Sequence, residues 1–167
     1  MTLWLVRHGC AGAKEEWDGP DERRSLDEVG VQQALSIAEE VLPGRPVRLL
    51  SSPLARCVDT LRPLAVQSGL PILKTESLGP SAEISDVMDL LTKQPGRSVL
   101  CTHGEMMEPL LSIFSGVGMR LSGAFAPEGW LRKGVVWQID REAMSMECLT
   151  PSSLTDCDRH PEYAIAP

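Results

Sequence analysis

Four apolar residues, Leu3-Trp4-Leu5-Val6, run directly into Arg7-His8-Gly9, and no other stretch constrains the chain as strongly. A short apolar run predicts a buried strand. In open α/β sheets, binding and catalytic groups gather where strands end. A cation and an imidazole at such an end are therefore candidate functional side chains. Gly9 is expected to let the backbone turn sharply and a ligand approach His8 closely. Arg7 brings a planar charge suited to phosphate or carboxylate oxygens.

Two later stretches repeat the pattern. Val47 to Leu50 reads as a strand, followed by Ser51-Ser52-Pro53-Leu54-Ala55-Arg56. Ser52 is a predicted N-cap and Pro53 the first helical residue. Arg56 then falls in the first turn, in a surface-like position where the helix dipole already favours an anion. Ser98 to Thr102 is a third strand, ending at His103-Gly104 with a helical run over 105–114 behind it.

Between these lie further elements. Asp27 caps a predicted helix whose apolar face is Val31, Ala34, Leu35, Ala38, Val41 and Leu42. The helix from Pro53 is expected to bury Leu54, Val58, Leu61 and Ala65, and to bend or restart at Pro63. Ile72-Leu73 begins a short strand, and Glu83 to Lys93 forms a helix with Ile84, Val87, Met88 and Leu91 on one side. Residues 135–139 and 144–148 read as two closing strands, and the glycine-rich 116–134 stretch as a flap or a connection. Strands alternating with helices predict a three-layer α/β/α sandwich, its central sheet mostly parallel with an antiparallel edge. One domain is expected over 1–150, with 151–167 as a surface tail that includes His160.

The 16 Lys and Arg against 23 Asp and Glu leave a net charge of −7, which argues against a nucleic-acid or anionic membrane surface. Arginines clustered near two histidines in such a chain concentrate positive potential locally, suiting a compact anion. The first apolar run is too short for a signal peptide and no run approaches a membrane span. With five cysteines and no Cys-x-x-Cys pair, the thiols are expected to be reduced and the protein cytoplasmic.

Two imidazoles and two guanidinium groups converging at one sheet edge suit a phosphoryl group. One neutral imidazole would attack phosphorus while an acceptor holds its other nitrogen, and His8 is the better placed. Arg7-His8-Gly9, Ser52-Pro53-Leu54-Ala55-Arg56 and His103-Gly104 together resemble the histidine phosphatase superfamily over about two-thirds of the chain. Arg7 to Ala11, and Arg24-Ser25-Leu26-Asp27 before the first helix, are most similar to its small SixA-like phosphohistidine phosphatases. Leu131-Arg132-Lys133-Gly134 resembles the histidine-phosphatase domain joined to some Nudix hydrolases.

The resemblance implies a phosphohistidine formed on His8, with Arg7, Arg56 and His103 binding the phosphoryl oxygens and no metal or cofactor. It implies a phosphorylated protein as substrate, or alternatively small phosphate monoesters or nucleotides, with phosphate or vanadate as competitors. Arg24 and Lys14 sit where the rim could add charge, but each reads more readily as a solvated loop cation. Mutases and alkyl-phosphatases of the superfamily usually carry a proton-donating glutamate where this chain has Leu78-Gly79-Pro80, so Glu83 and Asp18 are the candidate substitutes. Two other classes stay open. Cys10, Cys57 and Cys101 near the histidines could belong to a zinc site or be small packing residues, and the cation cluster could serve a non-catalytic phospho-ligand module.

Overall fold

The computed structural model describes residues 1–123 and 129–149. Seven strands form one sheet in the order β3-β2-β4-β1-β6-β7-β5. They are β1 (Thr2–Arg7), β2 (Arg48–Ser51), β3 (Ile72–Lys74), β4 (Ser98–Thr102), β5 (Arg120–Gly123), β6 (Val136–Asp140) and β7 (Ser145–Leu149). Four α-helices flank it: α1 (Glu28–Val41), α2 (Ala55–Ser68), α3 (Ile84–Lys93) and α4 (Gly104–Gly116).

The strands alternate their side chains between two cores. Leu3 and Leu5 of β1 enter one with Val87, Leu91, Met107 and Leu110 of α3 and α4. Trp4 and Val6 enter the other with Ile37, Val41, Leu61 and Leu64 of α1 and α2. The fold is therefore the expected three-layer sandwich. The sheet is mostly parallel, but its antiparallel member is internal: β6 runs against both β1 and β7, while the edge strand β5 is parallel to β7. β5 occupies part of the glycine-rich stretch read as a flap or connection. Its four residues are mostly exposed, so no apolar pattern marks them. The predicted tail, with His160, lies outside the described residues.

The helix faces differ from expectation in detail. On α1, Ile37 joins Ala34, Ala38 and Val41 in the core, whereas Val31 and Leu35 are 46% and 40% exposed. The helix rolls its small residues inward because α2 packs against it. On α2 the buried face is Cys57, Thr60, Leu61 and Leu64, rather than Val58 and Ala65. The helix runs through Pro63 without a restart. It starts at Ala55 with Leu54 as N-cap, later than predicted, and the Ser52 hydroxyl accepts from Leu54 N at 3.4 Å just ahead of it. Asp27 does cap α1, its carboxylate accepting from Gly30 N at 2.8 Å.

β1 and β4 are parallel neighbours whose following helices depart to opposite faces of the sheet. That divergence opens a crevice beyond their C-terminal ends. His8, Ser52 and His103 all lie just past strands that end there.

Candidate active site

His8 is gripped by its backbone on two sides, with His8 N donating to Thr102 O at 3.1 Å and Gly134 N donating to His8 O at 3.1 Å. Its Nδ1 is 2.8 Å from the Gly9 carbonyl. A carbonyl only accepts, so Nδ1 carries the proton and Nε2 keeps its lone pair. Nε2 has no protein partner among the described residues. Burial is the main force lowering the pKa of His8 well below its ordinary value. The Gly9 hydrogen bond opposes it, and His103, Arg56 and Arg7 add to the lowering. A neutral ring with one free lone pair is a nucleophile's geometry.

Gly9 serves a different end from the one expected. A Cβ there would meet Gly30 O at 3.0 Å, so the glycine admits α1 against the His8 turn rather than a ligand. Gly9 N donates to Thr60 Oγ1 at 3.0 Å, and Cys10 N donates to Gln33 Oε1 at 2.8 Å.

His103 stands at the head of α4, 1% exposed. Its Nε2 lies 2.8 Å from Ser52 Oγ and 3.5 Å from Cys57 Sγ. The ring meets that of His8 edge-on, with centroids 5.2 Å apart. The Arg7 guanidinium lies against the start of α4, where a Cβ on Gly104 would come within 2.8 Å of its Cζ. Arg7 Nη1 donates to the Leu131 carbonyl.

Arg56 is not surface-like: it is 5% exposed. Nη1 donates to Asp21 O at 3.0 Å and Nη2 pairs with Asp21 Oδ2 at 3.1 Å, while the buried Nε has no partner among the described residues. Arg24 is not a solvated loop cation either. Its Nε holds Asp21 Oδ1 at 2.9 Å, and its Nη1 donates to the Ala11 and Gly12 carbonyls at 3.0 Å. It braces the loop after His8 and reaches the cluster only through Asp21. Partial burial works against ionisation of Asp21, but the Arg24 hydrogen bond and the charges of Arg56 and Arg24 hold its carboxyl below the usual range.

An anion approaching Arg56 thus meets a carboxylate already there. Asp21→Asn removes about 1 kcal/mol of like-charge repulsion at water-like screening. It should tighten vanadate inhibition roughly fivefold. Weaker inhibition would show instead that Asp21 is needed to hold Arg56 in place.

Lys14 and Asp18 are exposed on the first loop, and no ion pair or hydrogen bond joins either side chain to the cluster. Glu83 is exposed at the head of α3, on a cavity of about 340 Å³ that it shares with Glu76, Pro80 and Asp86. No contact ties it to His8. Cys10 is disulfide-bonded, whereas Cys57, Cys101 and Cys148 are free thiols. The expectation of reduced thiols therefore does not extend to Cys10. The disulfide also withdraws Cys10 from a zinc donor set. Among the described residues no group of three or more His, Cys, Asp or Glu is placed to hold a metal, and no helix is long and apolar enough to cross a membrane.

Asp21 and Thr60 escape the sequence reading, which takes Ser52 only as a helix cap. Both of the missed residues leave a signal. Asp21 lies three residues before Arg24, and Thr60 lies one helical turn after Arg56, on the same face.

A model of the histidine phosphatase superfamily (branch 1) matches residues 3–79. Among curated proteins the chain is similar to an 8-oxo-(d)GTP phosphatase of Mycolicibacterium smegmatis, 28% identical over 116 residues. That match takes in 66% of this chain but only 36% of the relative, so the chain spans about a third of that protein's length. Among solved structures, a candidate phosphohistidine phosphatase SixA from Agrobacterium tumefaciens superposes with a TM-score of 0.67 at 23% identity, covering 89% of this chain and 95% of that one. The protein histidine phosphatase SixA in complex with tungstate gives 0.65 at 19% identity, over 90% and 95%. At those identities the likeness is one of fold.

Proposed function

We propose that the chain is a phosphatase that needs no metal and acts through a phosphohistidine on His8, with phosphohistidine in a protein partner as its substrate. One observation carries the reading: the His8 ring is neutral, its tautomer held by Gly9, and Nε2 is left open among Arg7, Arg56 and His103. Nε2 attacks phosphorus, the leaving group departs, and water then hydrolyses the phosphoramidate. Arg7, Arg56 and His103 bind the oxygens as charge builds. Tungstate in the related SixA structure is a compact oxyanion of the kind such a cluster suits.

The preference for phosphohistidine rests on what is not beside His8. Among the described residues the carboxylate bonded to the cluster is Asp21, and it is ion-paired with its pKa lowered, so it makes a poor proton donor. An alkyl phosphate without a positioned acid loses ~10²–10⁴-fold in rate. An imidazole leaving group titrates near 6.5 and takes its proton from solvent. A second reading, a phosphatase of nucleotides or other small phosphates, is favoured by the 8-oxo-(d)GTP phosphatase relative.

Rates across aryl and alkyl phosphates should fall steeply as leaving-group pKa rises, with phosphohistidine turned over well. Glu83→Gln should change little. Flat rates with sugar phosphates hydrolysed well would refute the phosphohistidine assignment, and oxyanion binding without turnover on any substrate would leave a binding module.

A further inference from the structure

The open lone pair of His8 depends on the Gly9 carbonyl, and the peptide that carries this carbonyl is held from behind by Gln33. We propose that Gln33 is a positioning residue for His8: its side-chain oxygen fixes the Gly9–Cys10 peptide so that the Gly9 carbonyl keeps the ring proton on Nδ1. The inference rests on the phosphatase reading of this site and adds to it the group that sets the nucleophile's tautomer.

Three groups stand in series. His8 Nδ1 lies 2.8 Å from Gly9 O. The N–H of that same peptide unit is the one of Cys10, and it donates to Gln33 Oε1 at 2.8 Å. In a trans peptide the C=O and the N–H share a plane and point opposite ways. An acceptor fixed on the N–H side therefore fixes where the carbonyl oxygen points on the other. The same bond polarises the peptide and makes Gly9 O a better acceptor for the ring. A ring that carried its proton on Nε2 instead would have no lone pair to offer phosphorus.

The Gln33 amide is itself oriented. It is 2% exposed, and its Nε2 donates to Lys133 O at 3.3 Å. An N–H partner on one side and a carbonyl on the other assign the oxygen and the nitrogen of the amide. The residue after Lys133 is Gly134, whose N–H donates to His8 O at 3.1 Å. One side chain thus joins the turn after His8 to the segment that grips the carbonyl of His8.

Packing of α1 brings it there. Gln33 lies three residues after Gly30 on the buried face of the helix, and Gly30 is where α1 closes on the Cys10 carbonyl. The fit around the amide is tight: a Cβ on Gly134 would stand 3.0 Å from Gln33 Cδ, and one on Gly9 3.1 Å from Oε1. The preceding peptide is held separately, by Gly9 N donating to Thr60 Oγ1 of α2. Two helices therefore hold successive peptides of one turn. A polar amide beside Ala34 and Ile37 in the core would be costly without partners, and here both of its ends are bonded.

The test is the tautomer of the His8 ring, read by NMR from its nitrogens in the substrate-free protein, with kcat, KM and inhibition by inorganic phosphate. It compares the wild type with Gln33→Met and Gln33→Glu. Methionine matches the length of glutamine but offers Cys10 N no oxygen, whereas glutamate keeps one. The wild-type ring should be protonated on Nδ1. In Gln33→Met part of the population should move its proton to Nε2, and kcat should fall by ~10–10²-fold, the scale seen when a partner that orients a ligating histidine is lost. KM and the phosphate inhibition constant should stay near wild type, because Arg7, Arg56 and His103 bind the oxygens from other elements. Gln33→Glu should restore the Nδ1–H form and most of kcat. A methionine variant with the wild-type tautomer and kcat would overturn the proposal. So would a glutamate variant that behaves like methionine, since packing rather than the acceptor would then be what counts. Should neither variant fold, the wild type decides: a ring protonated on Nε2, or a Cys10 amide that exchanges freely with solvent, overturns it equally. A tautomer that moves in Gln33→Met, in a protein that hydrolyses no phosphorylated substrate, would support the role of Gln33 and sink the phosphatase reading instead.

Discussion

Replacing His8 with alanine should lower turnover by ~10⁴-fold or more, the scale seen when a covalent nucleophile is removed. It should also abolish the acid-labile phosphoenzyme trapped by rapid quench. The expectation follows from Nε2, the open lone pair at the centre of the cation cluster. No neighbour can replace it, since His103 Nε2 is already held by Ser52 and Cys57. The intact enzyme's pH profile provides a companion test. Because burial, with His103, Arg56 and Arg7, lowers the pKa of His8, activity should persist below ~6.5 and fall only as the pH drops through the lowered value. Stability shares the sign. Below ~6.5 the unfolded chain takes up a proton that folded His8 refuses, so this site's contribution is present above that pH and lost beneath it. His8→Ala should remove that acid-side loss in a thermal melt. An alanine variant that still turns over would end the mechanism.

The second large effect is expected at Gly30, away from the reacting atoms. A Cβ on Gly30 would stand 1.9 Å from the Cys10 carbonyl oxygen and 2.9 Å from its carbon. Both are backbone atoms. In a free helix Gly→Ala is favourable by about 1 kcal/mol, but overpacking a tight contact costs about 1–3 kcal/mol or more, and here no side chain can rotate away. Gly30→Ala should therefore push α1 off the turn that follows His8, lowering the melting temperature by ~3–10 °C for a chain of this size. The Gly9 carbonyl that sets the His8 tautomer moves with that turn, so activity should fall in the protein that remains folded. A variant with wild-type melting and wild-type rates would show that α1 and the turn adjust independently.

The linear chain carried the order of the main elements, from β1 through α4, and the four residues of the cluster. Both are local properties. Apolar runs and helical spacing report which residues can be buried, and Arg7-His8-Gly9 and His103-Gly104 are visible because function concentrates where a strand ends. What the chain could not report were relations between distant segments. Arg56 looks like a surface arginine until Asp21, 35 residues earlier, is folded onto it. Ser52 looks like a helix cap until His103, 51 residues later, takes its hydroxyl. The exposed strand β5 has no apolar period to reveal it, and the internal position of β6 follows from pairing with β1 across the whole domain. Gly9 and Gly30 each look like a residue of a turn or a helix, and only the packing of α1 against the turn after His8 explains both. Spacing encodes faces; it does not encode which face meets which, and in this protein those meetings place the charges around His8.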